Sequence, residues 1–391
     1  MTTPLLTRKR VLLSKIETTY GVDAAATGAA NAILCRAINP TPQDSEFASR
    51  DLIRQYLGNS EQLPAAVNGK LEVEVELAGS GTAGTAPAWA PLMRACGFSQ
   101  TLNASAVTGS AQAGGSNTIT LAAGASAVDN IYRGLPISIT SGTGSGQTQY
   151  IIAYNGTTKV ATVANNWTTN PAAASGYSIL AGCVFAPVSA SFESLSHYLN
   201  VDGVRHRFYG SRGNVELSLA VKEIPTLKFS FTGLYVPVDD SALPTADYTG
   251  FRPPLTANST NTPVFTLHGI AAGVAPLSAL SLNAGNTVVH RPLIGEESVL
   301  ITDRKSTGQV TIEAQSVATR DWWAIARAAT LGTMTLEHGT AAGNICAVVA
   351  PAVQITGPTY TDLDGIAMLQ ANLNLMPASV VGNDDFFLTV R

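Results

Sequence analysis

Charge is what this chain has least of. Only 13% of its 391 residues are Asp, Glu, Lys or Arg, about half the usual share, and the densest basic cluster is Arg8, Lys9 and Arg10. With a formal charge of −4, a tight nucleic-acid grip is excluded, because phosphate contacts need grouped Lys and Arg. Cysteine is scarce too. Cys35, Cys96, Cys183 and Cys346 are far apart, without the paired spacing of a zinc site or the density of a disulfide framework, and they read as reduced, small core residues. No run of 18 apolar residues occurs, and the basic residues near the N-terminus follow a short apolar stretch where a signal peptide needs them before it. Neither a membrane span nor a signal peptide is expected, which points to a chain made in a cytoplasm and kept there or in a particle assembled there.

Catalytic and ligand-binding patterns are equally thin. The histidines His197, His206, His268, His290 and His338 have no H-x-x-x-H or Cys-adjacent spacing. Asp362-Leu363-Asp364-Gly365 and Asn383-Asp384-Asp385 suit turns and lack the ligand pattern that would follow in a calcium loop. The serines include no G-x-S-x-G elbow. Gly79-Ser80-Gly81-Thr82-Ala83-Gly84 has the form of a dinucleotide-binding turn, but its strand alternates with glutamates, Pro87 delays the helix, and no acidic residue follows about 20 positions on. No catalytic residue, cofactor or metal is therefore expected.

What is present is the raw material of strands and turns: 35 Gly, 20 Pro and long Ala/Thr/Ser/Asn stretches between short apolar runs. With 45% hydrophobic residues, the chain can supply cores for two or three domains. A surface so poor in charge also fits a protein that covers its exterior with copies of itself.

One strand-plus-helix pattern occurs twice. From Gly69, Leu71, Val73, Val75 and Leu77 alternate with Glu72, Glu74 and Glu76; Trp89, Leu92, Met93 and Cys96 then fall at helical spacing. From Gly308, Val310, Ile312 and Ala314 form one strand face, and Trp322, Ile325, Ala326 and Ala329 one helix stripe. Aligning Trp89 with Trp322 also aligns Arg94 with Arg327. Two copies of a half-buried sheet with a covering helix imply a duplicated fold that offers one kind of surface twice, which suits a ring better than an active site.

Around these landmarks the chain divides as follows. Residues 1–100 hold the N-terminal part of a first domain, with an extended arm and a long aperiodic loop from Arg36 to Asn68. Residues 101–186 carry only Asp129, Arg133 and Lys159 as charges and read as an inserted small all-β domain. Residues 187–238 resume the first domain, with a hairpin signal at Asp202-Gly203. The Pro-rich stretch 239–263 reads as a linker, and 264–391 as a second domain with a shorter loop from Asn283 to Gly308.

These residues resemble the major tail tube proteins of long-tailed, siphovirus-type bacteriophages. The resemblance is carried by Lys15-Ile16-Glu17-Thr18-Thr19-Tyr20-Gly21, the Glu-alternating strand with its Trp89 helix, the Asp202-Gly203 hairpin running to Gly210-Ser211-Arg212-Gly213, and Phe229-Ser230-Phe231-Thr232-Gly233-Leu234-Tyr235. It implies a mainly β fold, here a duplicated β-sandwich or barrel with each copy flanked by one helix. It also implies stacked rings that form a tail tube for DNA ejection, assembled in the host bacterial cytoplasm and carried in the virion tail. Tail terminator and distal tail proteins are the implied partners, and double-stranded DNA passes through without specific binding. The arm and long loop would make contacts between rings, with Lys15, Glu17, Tyr20, Asp44, Arg50, Asp51, Arg54 and Tyr56 as candidates. The module with Gly142-Thr143-Gly144-Ser145-Gly146-Gln147, Trp167, Pro171 and Tyr177 resembles small β domains of virion proteins that often project outward.

Most family members carry one tube fold per chain and form rings of six. Two per chain give a trimeric, pseudo-sixfold ring, with a hexamer of single folds as the alternative. A bore that must not hold DNA favours carboxylates, so Glu72, Glu74, Glu76 and Glu313 are candidates for its wall; an outward-facing wet strand face explains the same alternation equally well. A virion decoration or host-surface adhesion protein acting through the inserted domain is the alternative function.

Overall fold

In the structure, a computed structural model that describes residues 4–379 and 381–391, the chain is mainly β. Its first part contains β1 (Arg10–Ile16), α1 (Gly28–Asn31), β2 (Ala32–Ile33), β3 (Ala37–Ala48), β4 (Leu63–Glu76), α2 (Ala90–Ala95) and β5 (Phe98–Asn103). Next come β6 (Val107–Ser110), β7 (Ala113–Gly114), β8 (Thr118–Thr120), β9 (Pro136–Ser141), β10 (Thr148–Asn155), β11 (Val160–Val163) and β12 (Gly176–Ile179), which make a seven-stranded sheet of their own. The chain continues through β13 (Gly182–Pro187), β14 (Leu195–Val201), β15 (Val204–Ala220), β16 (Thr226–Asp240), β17 (Val264–Leu267), β18 (Ile270–Ala271) and β19 (Leu277–Asn283). It ends with β20 (Asn286–Leu293), β21 (Glu296–Arg304), β22 (Thr307–Glu313), α3 (Trp322–Arg327), β23 (Leu331–His338), β24 (Cys346–Leu363), β25 (Ile366–Met376) and β26 (Phe387–Val390).

Three expectations need correction. The long aperiodic loop from Arg36 is largely a hairpin: β3 pairs with β4 from Ala37↔Glu74 to Ala48↔Leu63, and only residues 49–62 lie outside it. Its two register shifts and Pro40 and Pro42 had masked the period. The N-terminal arm is an integral strand over β1, paired with both β14 and β2. The shorter loop after Asn283 is mostly the β20–β21 hairpin.

Strand pairing builds an eight-stranded antiparallel layer in the order β3-β4-β16-β15-β19-β22-β25-β24. The first and last four strands follow the same connectivity: β15–β16 and β24–β25 are hairpins, and each returning strand pairs with the strand that carries the repeated pattern, β4 or β22. The two sets meet where β15 pairs with β19, from Glu216↔Asn283 to Ala220↔Ala279.

One face of this layer is apolar because every second residue must leave water. Leu71, Val73, Val75, Val215, Leu217, Phe229, Leu280, Leu282, Val310, Ile312, Leu369 and Leu373 are all buried in one core with Trp89, Leu92 and Trp322. A second layer closes that core. Cys183 and Phe185 of β13, Cys346 and Val348 of β24, and Leu388 and Val390 of β26 point into it. Their neighbours Val184, Ala186, Ala347, Val349 and Phe387 point the other way, into a separate core with Ile119, Ile137, Ile151, Trp167 and Tyr177 of the seven-stranded module. The module is thus seated on the side of the second layer opposite the eight-stranded one. The Tyr150 hydroxyl donates to Glu337 at 2.5 Å, Arg391 donates to Glu337 at 3.0 Å, and Thr389 donates to the Gly134 carbonyl at 2.7 Å.

The stretch 241–263 contains no strand or helix, but it is no free tether. Ala246 and Tyr248 cover Val11, Leu13 and Tyr198 on the outer side of β1 and β14, Ala257 enters the main core, and His338 Nε2 meets the Leu255 carbonyl at 3.1 Å.

The glycine-rich turn after β4 has a packing explanation. The Gly81 amide donates to the Gly343 carbonyl at 2.9 Å and the Gly79 amide to Asn344 Oδ1 at 2.6 Å. A Cβ at Gly79 would stand 2.0 Å from the Gly343 carbonyl oxygen, and one at Gly343 would stand 2.3 Å from the Gly81 backbone. Two backbones cross there with no room for side chains.

Candidate assembly surface

The second face of the eight-stranded layer is a continuous polar sheet. Because directly opposed residues share a face, the pairings define its rows. One reads Ala37, Glu74, Lys228, Glu216, Asn283, Thr307, Asn374, Gln354; the next reads Glu76, Thr226, Ser218, Ser281, Gln309, Asn372, Thr356. The β4 side carries the charges, including Glu72. The β22 side is made of amides and hydroxyls, with Glu313 as its acidic residue.

The glutamates do not form an uncompensated acidic strip. Lys228 lies 3.6 Å from Glu72, Arg36 lies 3.7 Å from Glu74, and Lys70 pairs with Asp44 at 2.6 Å. All are solvent-accessible pairs, of a kind that contributes about 0–1 kcal/mol each. The sequence could show the alternation of β4 but not the cations, since Lys228 arrives on β16 from some 150 positions away.

The candidate contacts of the arm separate from those of the hairpin. Glu17 is buried, and its carboxylate accepts from the Gly21 amide at 2.9 Å, the Gly210 amide at 2.8 Å, Ser194 Oγ at 2.6 Å and Ser196 Oγ at 2.9 Å. A carboxylate with four internal donors serves its own chain. Tyr20 is likewise engaged inside: its hydroxyl accepts from the Val299 amide at 2.5 Å, and Arg212 lies 4.8 Å over its ring. Lys15 sits on β1 and reaches the Ala25 carbonyl at 3.5 Å.

The hairpin side is open. Arg50 pairs with Glu61 across its tip, Asp51 is exposed, and Arg54 stacks 5.8 Å over Tyr56. Leu52, Ile53, Tyr56 and Leu57 are all solvent-exposed, Ile53 and Leu57 completely. Four large apolar side chains within six residues are unusual on a free surface.

No group of three or more potential metal ligands occurs among the described residues. Burial holds the Cys96, Cys183 and Cys346 thiols well above their ordinary range, Cys183 and Cys346 to about 12, so they stay protonated. Ser14 Oγ and His197 Nδ1 lie 2.8 Å apart and look like a nucleophile and its base. Both are buried, and desolvation lowers the His197 pKa to about 3. His197 Nε2 meets no partner; without an orienting acid or access for a substrate the pair is structural.

Layered β architecture with a broad polar face and an exposed apolar hairpin tip defines a mainly β class of protein. A family model described as phage tail tube protein matches residues 7–375, and the chain belongs to that family, a structural component of the virion tail. No curated protein matches the sequence.

Proposed function

We propose that three copies of the chain close into a pseudo-sixfold ring, that rings stack into the tail tube, and that the polar face of the eight-stranded layer lines its bore. The observation that carries this reading is the repeated four-strand connectivity joined edge to edge at β15–β19. Two like units already meet in a head-to-tail manner within one chain, and repeating that contact closes a ring if the rotation per unit is a simple fraction of a turn. A ring of six chains using one unit each would leave the second unit outside the wall and is the less economical arrangement.

The polar face also fits a conduit for DNA. Duplex DNA carries a charge per ~1.7 Å of axis, and a cationic wall would displace its counterions and hold it. Here amides, hydroxyls and partly compensated glutamates face water, so the wall offers little attraction. The module, on the opposite side of the core, falls outside the tube. The exposed tip at 49–62 then reaches the next ring, while tail terminator and distal tail proteins cap the ends.

Electron microscopy of the purified chain tests this directly: hollow tubes of regular rings with threefold symmetry are expected. Deleting residues 50–61 is expected to leave folded protein that forms rings but no tubes; full-length tubes from that variant would remove the tip from its stacking role.

A further inference from the structure

The joint inside the chain has an open counterpart. β19 sits against β15 just beyond the stretch paired with β14, and there Val215, Leu217 and Leu219 are buried. On β24, β23 ends opposite Gln354. Beyond it, Ile355–Leu363 have β25 on one side and, among the described residues, no strand on the other.

The two sites can be matched residue by residue through the pairings. Val215 opposes Phe229, which opposes Val73; Tyr360 opposes Leu369, which opposes Ile312. Val73 and Ile312 are the same position of the repeated strand. Val215 is 3% exposed and Tyr360 62%. With Trp89 matched to Trp322, Ala90 corresponds to Trp323: the first is 3% exposed, the second 38%. Trp323 and Tyr360 lie together, ring centroids 5.1 Å apart. The second unit thus carries an aromatic patch at the place where the first unit is covered.

The missing cover has a candidate within the same polypeptide. β3 stands to β4 as β19 stands to β22, and among the described residues it is paired on one side only. Its residues Ile38, Pro40 and Pro42 are half-buried and lie along that open edge. The edge of β24 therefore lacks a β19-like strand, and the edge of β3 lacks a β15-like one.

We propose that the free edge of β24 receives β3 of a second copy of this chain, burying Trp323 and Tyr360 beneath Ile38, Pro40 and Pro42. The inference rests on the ring reading and adds the register. Ser218 opposes Ser281 in the internal joint, and the same matching converts that pair into Leu363 of one copy opposite Thr41 of the next. The two edges differ, so the contact is head-to-tail and does not pair β24 with β24. It also removes two exposed edges that would otherwise template aggregation.

A cysteine pair tests the register, because directly opposed positions on neighbouring antiparallel strands are within bridging distance. Assembled Thr41→Cys/Leu363→Cys protein is expected to oxidise to a closed covalent trimer on a non-reducing gel, with neither single variant cross-linking. Absence of the bridge in assembled tubes, or dimers from either single variant, would overturn the joint. Separately, Tyr360→Lys is expected to keep the wild-type melting profile while losing about tenfold or more in assembled fraction, since it buries a charge in the joint. Normal tubes from Tyr360→Lys would refute this joint and leave the ring reading standing. Wild-type protein that never forms rings would remove both.

Discussion

The two four-stranded halves of the polar layer share a connectivity and differ in nearly everything that water touches. On the β4 side the wet face carries Glu72, Glu74, Glu76, Glu216, Lys70 and Lys228; on the β22 side it carries Thr307, Gln309, Thr311, Gln370, Asn372 and Asn374. The dry faces are alike, apolar and closed over a tryptophan, Trp89 or Trp322. Packing constrains the dry face to native density, so it stays similar. The wet face answers to whatever it meets, and so do the connections. The β20–β21 hairpin is stapled to its own chain by Tyr20, Arg212 and Asn286, whereas the corresponding tip at 49–62 presents its apolar residues to solvent. One connection is finished within the monomer, and the other is open to solvent.

The severest way to break the comparison is to force the halves apart. Gly343 has φ +84, and a Cβ there would meet the Gly81 backbone at 2.3 Å. Gly343→Val should cost about 3 kcal/mol or more, read as a lowered urea midpoint, with the transition splitting if the halves then unfold separately. Next in size is Glu17→Ala. It strands the Gly21 and Gly210 amides and two serine hydroxyls in a buried site, a loss of about 2–3 kcal/mol. Glu313→Ala, on the wet face of β22, should stay within ~0.5 kcal/mol.

Acid should weaken the first half before the second. His197 is fully enclosed with Nε2 unpartnered, and desolvation depresses its pKa to about 3. Between pH 6.5 and that value the unfolded chain takes up a proton that the folded chain refuses, so stability falls as pH falls through this window. By pH 5 the loss is about 2 kcal/mol. His268 and His338 shift in the same direction, each opposed by a hydrogen bond to a backbone carbonyl. A His197→Gln variant should therefore flatten most, but not all, of the stability slope from pH 6.5 to 5 in chemical denaturation; an unchanged slope would place the acid sensitivity elsewhere.

How far the sequence could be read follows from the same physics. Period-2 alternation over Leu71–Leu77 and helical spacing from Trp89 are local signals, and both gave elements where they were expected. The strand β3 was missed because Pro40 and Pro42, two register shifts and a half-wet edge erase the alternation that marks a strand. The role of Glu17 was out of reach for a different reason: its donors come from Ser194, Ser196 and Gly210, brought in by strands nearly 200 positions away. The Gly79 turn presented a binding motif whose true partner, the Gly343–Asn344 backbone, is farther still.

The smallest expected effect on the fold sharpens the comparison most. Glu72, Glu74 and Glu76 are accessible and only loosely paired with cations, so changing all three to Lys should leave tubes intact and shift stability by no more than about 1 kcal/mol. If β4 faces the bore, the same change puts a ring of positive charge against passing DNA and slows ejection. Salt should then restore the rate, because raising ionic strength from 0.15 M to 1 M shrinks the screening length from about 8 Å to 3 Å; a defect indifferent to salt would instead mean structural damage. Placing lysines at Gln309, Thr311 and Glu313 supplies the internal control. Equal, salt-reversible slowing from both triplets is what two equivalent halves lining one channel require, and slowing from the β4 triplet alone would mean that only the charged half meets the DNA.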